Sequence, residues 1–196
     1  MPRRVGLDKA MVVKAAADLI NAEGIEALSL SQVAERLGIQ TPSLYNHIDG
    51  LPGLRRELAL INARALGDRL GNAAIGKSGS KALMAVAQAY RAYIKECPGL
   101  YMACLRAART QQLVDAELQS AEDRVVEIGM VVMASFGLNG KNALHAVRGL
   151  RSVVHGFATL EVAGGFGLPL DCDESFRRLV NMLIHGLQQP AGRGRP

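Results

Sequence analysis

The sequence predicts an all-α fold with about nine helices, and three observations support this prediction. Apolar residues recur every three or four positions along most of the chain, which is the period of a helix with one buried face. No run alternates apolar and polar residues between hairpin turns, as a half-buried strand would. With 196 residues, of which 49% are apolar and 21% charged, the chain is able to bury a core and does not have the composition of a disordered protein.

The first sixty residues predict three short helices. The first runs from Asp8, a favourable N-cap, to Gly24, and the second runs from the N-cap Ser29 to Gly38. A third helix follows over about 42–48, because a proline stands at its first position and an Asp-Gly pair follows its last. The apolar residues expected to pack together between these helices are Val12, Ala15, Ala16, Leu19, Ile20, Val33, Leu37, Ile39 and Leu44.

The remaining helices are longer on average. A fourth helix over about 51–75 would extend roughly 37 Å at 1.5 Å per residue, so it should leave the N-terminal unit and enter the rest of the chain. Further helices are predicted over about 80–96, 99–106, 111–136, 141–162 and 173–187. We therefore expect an N-terminal domain over residues 1–50, a C-terminal helical domain over 51–189 and a disordered tail over 190–196.

The second and third predicted helices form a helix-turn-helix. Ala34 is small where the two helices would cross, and Gly38 can adopt the positive φ that the turn requires. The second helix of such a motif enters the DNA major groove, so it must present small and polar side chains near its beginning. The residues that meet this requirement are Thr41, Pro42, Ser43, Tyr45, Asn46 and His47. The alternative is a purely structural helical hairpin, which can contain the same glycine turn.

The stretch from Gly38 to Ile48 contains the pattern Leu-Tyr-x-His and resembles the recognition helix of the tetracycline-repressor (TetR) family. The resemblance covers about residues 7–60 and implies a DNA-binding regulator with a C-terminal helical domain for dimerisation and effector binding. The DNA-binding residues that it implies are Ser29, Ser31, Gln32, Gln40, Thr41, Pro42, Ser43, Tyr45, Asn46 and His47. Thr41, Pro42 and Ser43 would contact base edges, whereas Tyr45 and His47 would contact phosphates. Alternatives are partial core packing for Tyr45 and a helix-end hydrogen bond for His47.

The sequence departs from the family pattern in three ways. Leu51 stands where many relatives have a lysine that contacts a phosphate, and Asn46 stands where many have an aromatic residue. Residues 1–60 contain seven Lys and Arg against seven Asp and Glu, so the overall charge of +5 does not by itself support nucleic-acid binding. The arginines expected to compensate are Arg3 and Arg4 on a flexible arm and Arg55 and Arg56 near the duplex. We therefore expect a modest salt dependence of DNA binding.

The last two helices are predicted to form a homodimer interface, because a short DNA-reading helix gains specificity when two copies bind a palindrome. The last helix has an apolar stripe formed by Phe176, Leu179, Val180, Leu183, Ile184 and Leu187. The preceding helix has a small-residue stripe formed by Gly149, Ser152, Gly156, Thr159 and Ala163. Four helices from two copies would pack through these stripes, as the resemblance also implies. The alternative is that both stripes face the protomer's own core.

The middle helices contain methionine and aromatic residues that are suited to an apolar effector cavity. The candidate effector-binding residues are Tyr101, Met102, Leu105, Met133 and Phe136, with His155 and Glu161 as polar contacts. Ordinary core packing is the alternative for each of them. The segment that contains His155-Gly156 also resembles a TetR subgroup named for a Trp-His-Gly motif, although Val154 stands in place of the tryptophan.

Several other classes of site are not predicted. No Ser-His-Asp, paired-carboxylate or phosphate-loop spacing suggests an enzyme, and the four histidines lack metal-ligand spacing, so we expect neither catalysis nor a metal or other cofactor. The longest uncharged stretches, of 13 and 14 residues, are shorter than the roughly 20 residues that span a bilayer. Since no secretory signal is present and the three cysteines lack a CxxC pair, we expect a cytoplasmic protein with reduced thiols.

The sequence thus predicts a homodimeric transcriptional regulator, a repressor that binds a palindromic operator on double-stranded DNA and is released by a small apolar effector. The alternatives are an all-α ligand carrier, a DNA-binding protein without an effector, and a small all-α enzyme. A gel shift with and without lipophilic compounds separates the first two from the prediction, because a carrier shifts no DNA and a constitutive binder never releases it.

Overall fold

The computed structural model describes residues 7–107 and 115–189, and the all-α prediction is confirmed. The described α-helices are α1 (Lys9–Glu23), α2 (Leu30–Arg36), α3 (Gly50–Ala74), α4 (Gly79–Glu96), α5 (Pro98–Ala107), α6 (Ala116–Ala134), α7 (Gly140–Val162) and α8 (Cys172–Gln188). Two 3₁₀ segments, Ile25–Ala27 and Thr41–Asn46, lie among them. The third predicted helix is thus a 3₁₀ segment, and within residues 7–107 and 115–189 it and the eight α-helices are the nine that were expected.

The helices form two compact units. The first comprises the described residues of 1–64 and 97–120, and the second comprises those of 65–96 and 121–196. Both α3 and α6 begin in the first unit and continue into the second. The first unit therefore contains α5 and the start of α6 in addition to the predicted N-terminal domain. No helix in the described part of the chain is long and apolar enough to cross a membrane.

Short-range interactions fix both ends of α1. An Asp8 side-chain oxygen accepts a hydrogen bond from the Met11 amide at 2.7 Å, which satisfies one of the free N–H groups at the helix start. Gly24 ends the helix with a φ of +87°. The core of the first unit includes every residue predicted for it, with Val12, Ala16, Ile20, Val33 and Leu44 fully buried. Leu37 and Ile39 are partly buried against the same core.

Helix α5 packs directly against the backbone of α1. A Cβ atom placed on Gly99 would lie 1.9 Å from the carbonyl oxygen of Ile20 and 2.8 Å from the Cα of Asn21. The neighbouring Leu100 amide donates a hydrogen bond to Asn21 Oδ1 at 2.8 Å. Only glycine fits at position 99 without a shift of backbone, because no side-chain atom can occupy that space.

Helices α4, α7 and α8 pack against one another in the second unit. The apolar stripe predicted for α8 is divided between two environments. Phe176, Val180 and Ile184 are at most 5% exposed, so these three face the protomer's own core. Leu179, Leu183 and Leu187 are half-buried. The stripe follows the helical period as expected, but half of it is used for packing within the chain.

Candidate nucleic-acid interface

Helix α2 begins at a serine cap. Ser29 has an extended backbone, and its Oγ accepts a hydrogen bond from the Gln32 amide at 3.3 Å. The same oxygen lies 3.1 Å from Ser31 Oγ, so the two hydroxyls form one polar pair at the helix start. Ser31 and Gln32 are exposed and Ser29 is half-buried. The predicted cap is therefore confirmed, and the side chains beside it are open to solvent.

The turn after α2 has the geometry that the glycine predicts. Gly38 has a φ of +66°, and the Ile39 amide donates back across it to the Ala34 carbonyl at 3.0 Å. Ala34 is 2% exposed. The small side chain and the glycine together allow α2 and the Thr41–Asn46 segment to pack closely against each other.

The Thr41–Asn46 segment is held by one buried side chain, Leu44, which is fully enclosed in the core of the first unit. Tyr45, the next residue, is 61% exposed. The predicted DNA-binding residues around it are either exposed (Gln40, Pro42 and Asn46) or half-buried (Thr41, Ser43 and His47). The segment thus presents polar and small side chains to solvent on a firmly attached backbone, as a major-groove reader requires.

Most basic side chains described in the first sixty residues are paired with carboxylates. Lys9 Nζ lies 3.0 Å from Glu57 Oε1, and Lys14 pairs with Asp18 one turn along α1. Arg36 on α2 is 3.4 Å from a carboxylate oxygen of α1. Arg55 on α3 is exposed and has no charged partner among the described residues. Arg3 and Arg4, which were expected to form an arm, lie outside the described residues.

Arg56 is occupied by three carboxylates. Its Nε and Nη2 donate to Asp115 at 2.5 and 3.1 Å, its Nη2 also donates to Glu117 at 2.6 Å, and its Nη1 donates to Glu57 at 2.8 Å. The hydrogen bond from Arg56 is the main reason why the pKa of Asp115 falls to about 2. The expectation that Arg56 helps to attract DNA therefore does not fit its surroundings. No sequence signal relates Arg56 to carboxylates 59 and 61 positions away.

The seven candidate effector-binding residues are divided between the two units. Tyr101, Met102 and Leu105 belong to the first unit, and the other four belong to the second. Tyr101 and Met133 are fully enclosed, at 2% and 0% exposure, whereas Met102 is 36% exposed. Phe136 lines an open surface cavity of about 690 Å³ in the second unit, together with polar groups from Ser80, Ser135, Asn142 and Gln188.

Glu161 is part of an ion-pair cluster in the second unit, and the Arg91 side chain of this cluster is buried. Arg91 donates two hydrogen bonds to its carboxylate, both at 2.7 Å, and Lys95 Nζ lies 2.6 Å from the same group. The Arg91 guanidinium also lies 4.9 Å from the ring centre of Phe176 and 5.4 Å from that of Phe157. The pKa of Glu161 is lowered, chiefly by the hydrogen bonds from Arg91. Its lone pairs are thus used within the protein, and this structural role accounts for its burial.

His155, the other polar candidate, is half-buried on α7. Burial lowers the pKa of its imidazole, and the nearby positive charge of Arg151 lowers it further. Both effects favour the neutral imidazole, which has one donor and one acceptor nitrogen.

Comparison with known proteins agrees with this geometry. Residues 12–48 match the model of the tetR family of bacterial regulatory proteins, and residues 83–183 match a tetracyclin repressor-like C-terminal domain. The chain is 33% identical over 188 residues to the uncharacterized HTH-type transcriptional regulator YobS of Bacillus subtilis, covering 95% of this chain and 96% of that one.

Two solved structures show the same fold. A protein of unknown function from Rhodococcus sp. RHA1 superposes with a TM-score of 0.81 at 20% identity, over 96% of this chain and 100% of that one. A TetR variant from Acinetobacter baumannii AYE in complex with minocycline has a TM-score of 0.68 at 22% identity, over 93% and 97%. Both family models that match are those of regulatory proteins, which agrees with the sequence prediction of a regulator. The chain belongs to the TetR family of bacterial DNA-binding transcriptional regulators.

Proposed function

We propose that this regulator is a homodimeric repressor that binds a palindromic operator and leaves it when a small apolar effector binds. The observation that carries the proposal is the Thr41–Asn46 segment, in which Leu44 is fully buried while Tyr45 is 61% exposed. A backbone fixed by one core residue can hold the remaining side chains in a constant orientation toward DNA.

The residues of the interface have two kinds of role. Thr41, Pro42 and Ser43 contact base edges, because small side chains at the start of the segment allow close approach in the major groove. Tyr45 and His47 contact phosphates and thereby fix the orientation of the segment. The interface also includes side chains around the start of α2 and beside the segment, namely Ser29, Ser31, Gln32, Gln40 and Asn46.

A second copy of the chain pairs through α7 and α8. The small-residue stripe supports this proposal, because a Cβ added to Gly149 or Gly156 would meet no atom within 4 Å. Nearby large apolar side chains are also open to solvent, with Leu160 at 52% and Met182 at 63% exposure. Pairing must place the two Thr41–Asn46 segments about 34–36 Å apart, so that they reach successive major grooves.

The effector acts by changing the distance between the two Thr41–Asn46 segments of the dimer. Helix α3 begins four residues after the Thr41–Asn46 segment and continues into the second unit, so it provides a covalent path between DNA and effector. A coupling free energy of about 1–3 kcal/mol would weaken operator binding roughly 5- to 150-fold. The minocycline complex of a protein with the same fold supports a small organic effector, although not that compound in particular.

Two finer assignments accompany this proposal. The segment containing His155-Gly156 lies within the region matched by the C-terminal family model and supports the Trp-His-Gly subgroup, with Val154 in place of the tryptophan. Residues 1–50 form the DNA-binding domain and 51–189 the domain for dimerisation and effector binding. The tail 190–196 lies outside the described residues.

The proposal is tested by incubating the purified protein with fragmented genomic DNA and sequencing the fragments that it retains. We expect a palindromic consensus, and a gel shift with that sequence should be reversed by at least one member of a panel of lipophilic compounds. Retention of no DNA would favour the ligand carrier. Retention that none of the compounds reverses would favour a constitutive DNA-binding protein.

The Tyr45→Ala variant should bind the operator at least about tenfold more weakly, because it loses a hydrogen bond to a charged phosphate in each protomer. Its thermal unfolding should match the wild type, since the side chain is mostly exposed. Tyr45→Phe keeps the ring and is the matched control for loss of the hydroxyl alone. Fluorescence anisotropy measures the affinities, and equal binding by wild type and Tyr45→Ala would remove this residue from the interface.

The Thr41→Ala and Ser43→Ala variants should mainly lose discrimination between operators. A base contact contributes about 1–3 kcal/mol of preference for the correct base pair, so the variants should accept a changed base at one position of each half-site. Binding is measured on the operator and on its single-base variants. A uniform loss of affinity across all sequences would instead indicate phosphate contacts.

A further inference from the structure

Two adjacent arginines near the start of α3 have opposite surroundings. Arg55 is exposed and makes no ion pair with a described residue, whereas the side chain of Arg56 is 29% exposed and is surrounded by carboxylates. The first sixty residues have no net charge, so DNA binding there depends on individual basic side chains. A side chain that is already paired within the protein, such as Arg56, is less available to DNA than Arg55, which pairs with no carboxylate in the described part of the chain.

The guanidinium of Arg56 donates its hydrogen bonds to groups of the protein itself. Its Nε, Nη1 and Nη2 atoms all donate to carboxylate oxygens at 2.5–3.1 Å. The planar guanidinium makes a two-point contact with Asp115, which is the strong geometry for such pairs. A DNA phosphate would have to displace these groups in order to bind Arg56.

The same contacts fix the first turn of α6. Asp115 Oδ1 accepts hydrogen bonds from the amides of Glu117 and Leu118, both at 3.1 Å, and so caps the helix. Glu117 pairs with Arg56 on one side and with Arg64 on the other. The cluster therefore joins α3 to α6 within the first unit, and Arg56 is at its centre.

Arg55, unlike Arg56, is exposed and has no charged partner among the described residues. Helix α3 begins beside the DNA-binding segment, since a Cβ on Gly50 would lie 3.9 Å from Cε1 of Tyr45. Arg55 is five residues further along, a rise of about 7.5 Å at 1.5 Å per residue, and it lies one turn after Leu51 on the same face of α3. Lys9, Lys14, Arg36 and Arg56 are each paired within the chain.

We propose that Arg55 is a DNA phosphate contact and that Arg56 is a positioning residue, which holds α3 against α6 and does not touch DNA. The assignment rests on the proposed interface. It places a phosphate-binding cation on α3 although Leu51 occupies the position where many relatives have lysine.

The test compares Arg55→Gln with Arg56→Gln in the full-length chain, using a fluorescent 30-base-pair duplex of random sequence at several salt concentrations. Each phosphate contact contributes about 0.9 to the slope of log K against log salt, so Arg55→Gln should reduce the slope by about 1.8 in a dimer. Arg56→Gln should leave the slope unchanged and should lower the hydrogen-exchange protection of the Glu117 and Leu118 amides.

A third variant covers the case in which Arg56→Gln does not fold. Glu117→Gln keeps the Arg56–Asp115 pair, and its salt slope should equal that of the wild type. An unchanged slope in Arg55→Gln would overturn the assignment of Arg55, and a reduced slope in Arg56→Gln would overturn that of Arg56. If the wild type binds no duplex at any salt concentration, the proposed interface itself fails, and this result is distinct from the other two.

Discussion

The Gly99→Ala variant is expected to unfold at a lower urea concentration than the wild type, with a loss of about 3 kcal/mol in unfolding free energy. The new methyl group would meet the backbone of Ile20, with 1.9 Å between its carbon and the carbonyl oxygen. Backbone cannot rotate away as a flexible side chain can, so α5 must separate from α1. That separation also breaks the hydrogen bond from the Leu100 amide to Asn21.

Two matched variants test whether the loss of stability in Gly99→Ala comes from the overlap with the Ile20 backbone. Gly71→Ala adds the same methyl group within α3, where it would meet Ile128 Cδ1 at an ordinary 3.6 Å. It should stabilise the chain by up to about 1 kcal/mol, because alanine favours the helix. Asn21→Ala removes the hydrogen bond without the overlap and should cost less than Gly99→Ala. Unfolding is followed by circular dichroism at one protein concentration, and equal midpoints for Gly99→Ala and Gly71→Ala would contradict the close contact.

The Glu161→Gln variant should also be destabilised by about 3 kcal/mol, because it leaves Arg91 buried without its main counter-charge. The two side chains are 10% and 12% exposed, so water cannot replace the lost carboxylate oxygens. Arg91 keeps its contact with Asp173 at 2.7 Å, which limits the loss. Replacing both residues, as Arg91→Met with Glu161→Met, should restore much of the stability, since no buried charge would then lack a partner.

Acid should remove the difference in unfolding free energy between the wild type and Glu161→Gln. Pairing with Arg91 lowers the folded-state pKa of Glu161 below its ordinary value of 4.5. The stabilisation is therefore complete above about pH 4.5 and disappears as the pH falls through the folded-state pKa. Glu174→Gln on the surface of α8 is the control, because its exposed pairs with Arg177 and Arg178 should contribute little. A constant difference down to the lowest pH that keeps the fold would exclude Glu161 as its source.

The sequence allowed the N-terminal helices to be predicted because their signals are local. Asp8 and Ser29 act on amides three residues away, and Gly38 determines the turn by its own φ. The 3₁₀ geometry of Thr41–Asn46 was not predicted, because six residues are too few to separate a period of 3.0 from one of 3.6. The short Ile25–Ala27 turn was missed for the same reason.

Interactions between distant positions were beyond sequence reasoning. Arg91 pairs with Glu161 across 70 positions, and Asn21 binds the Leu100 amide across 79. No spacing rule relates such residues, so the sequence does not predict the pairing of Glu161 with Arg91, and the assignment of Glu161 as an effector contact stays a prediction. Apolar candidates such as Met133 have the same helical period whether they line a cavity or fill a core, and the sequence alone does not distinguish these roles.

The single buried side chain of the Thr41–Asn46 segment also bears on how such regulators diversify. Leu44 alone among these six residues is enclosed in the core, so substitutions at the exposed positions Pro42, Tyr45 and Asn46 should have little effect on folding. Under the proposed interface, point mutations within this six-residue stretch would give a daughter protein a new target sequence after gene duplication, while the remainder of its architecture is inherited intact.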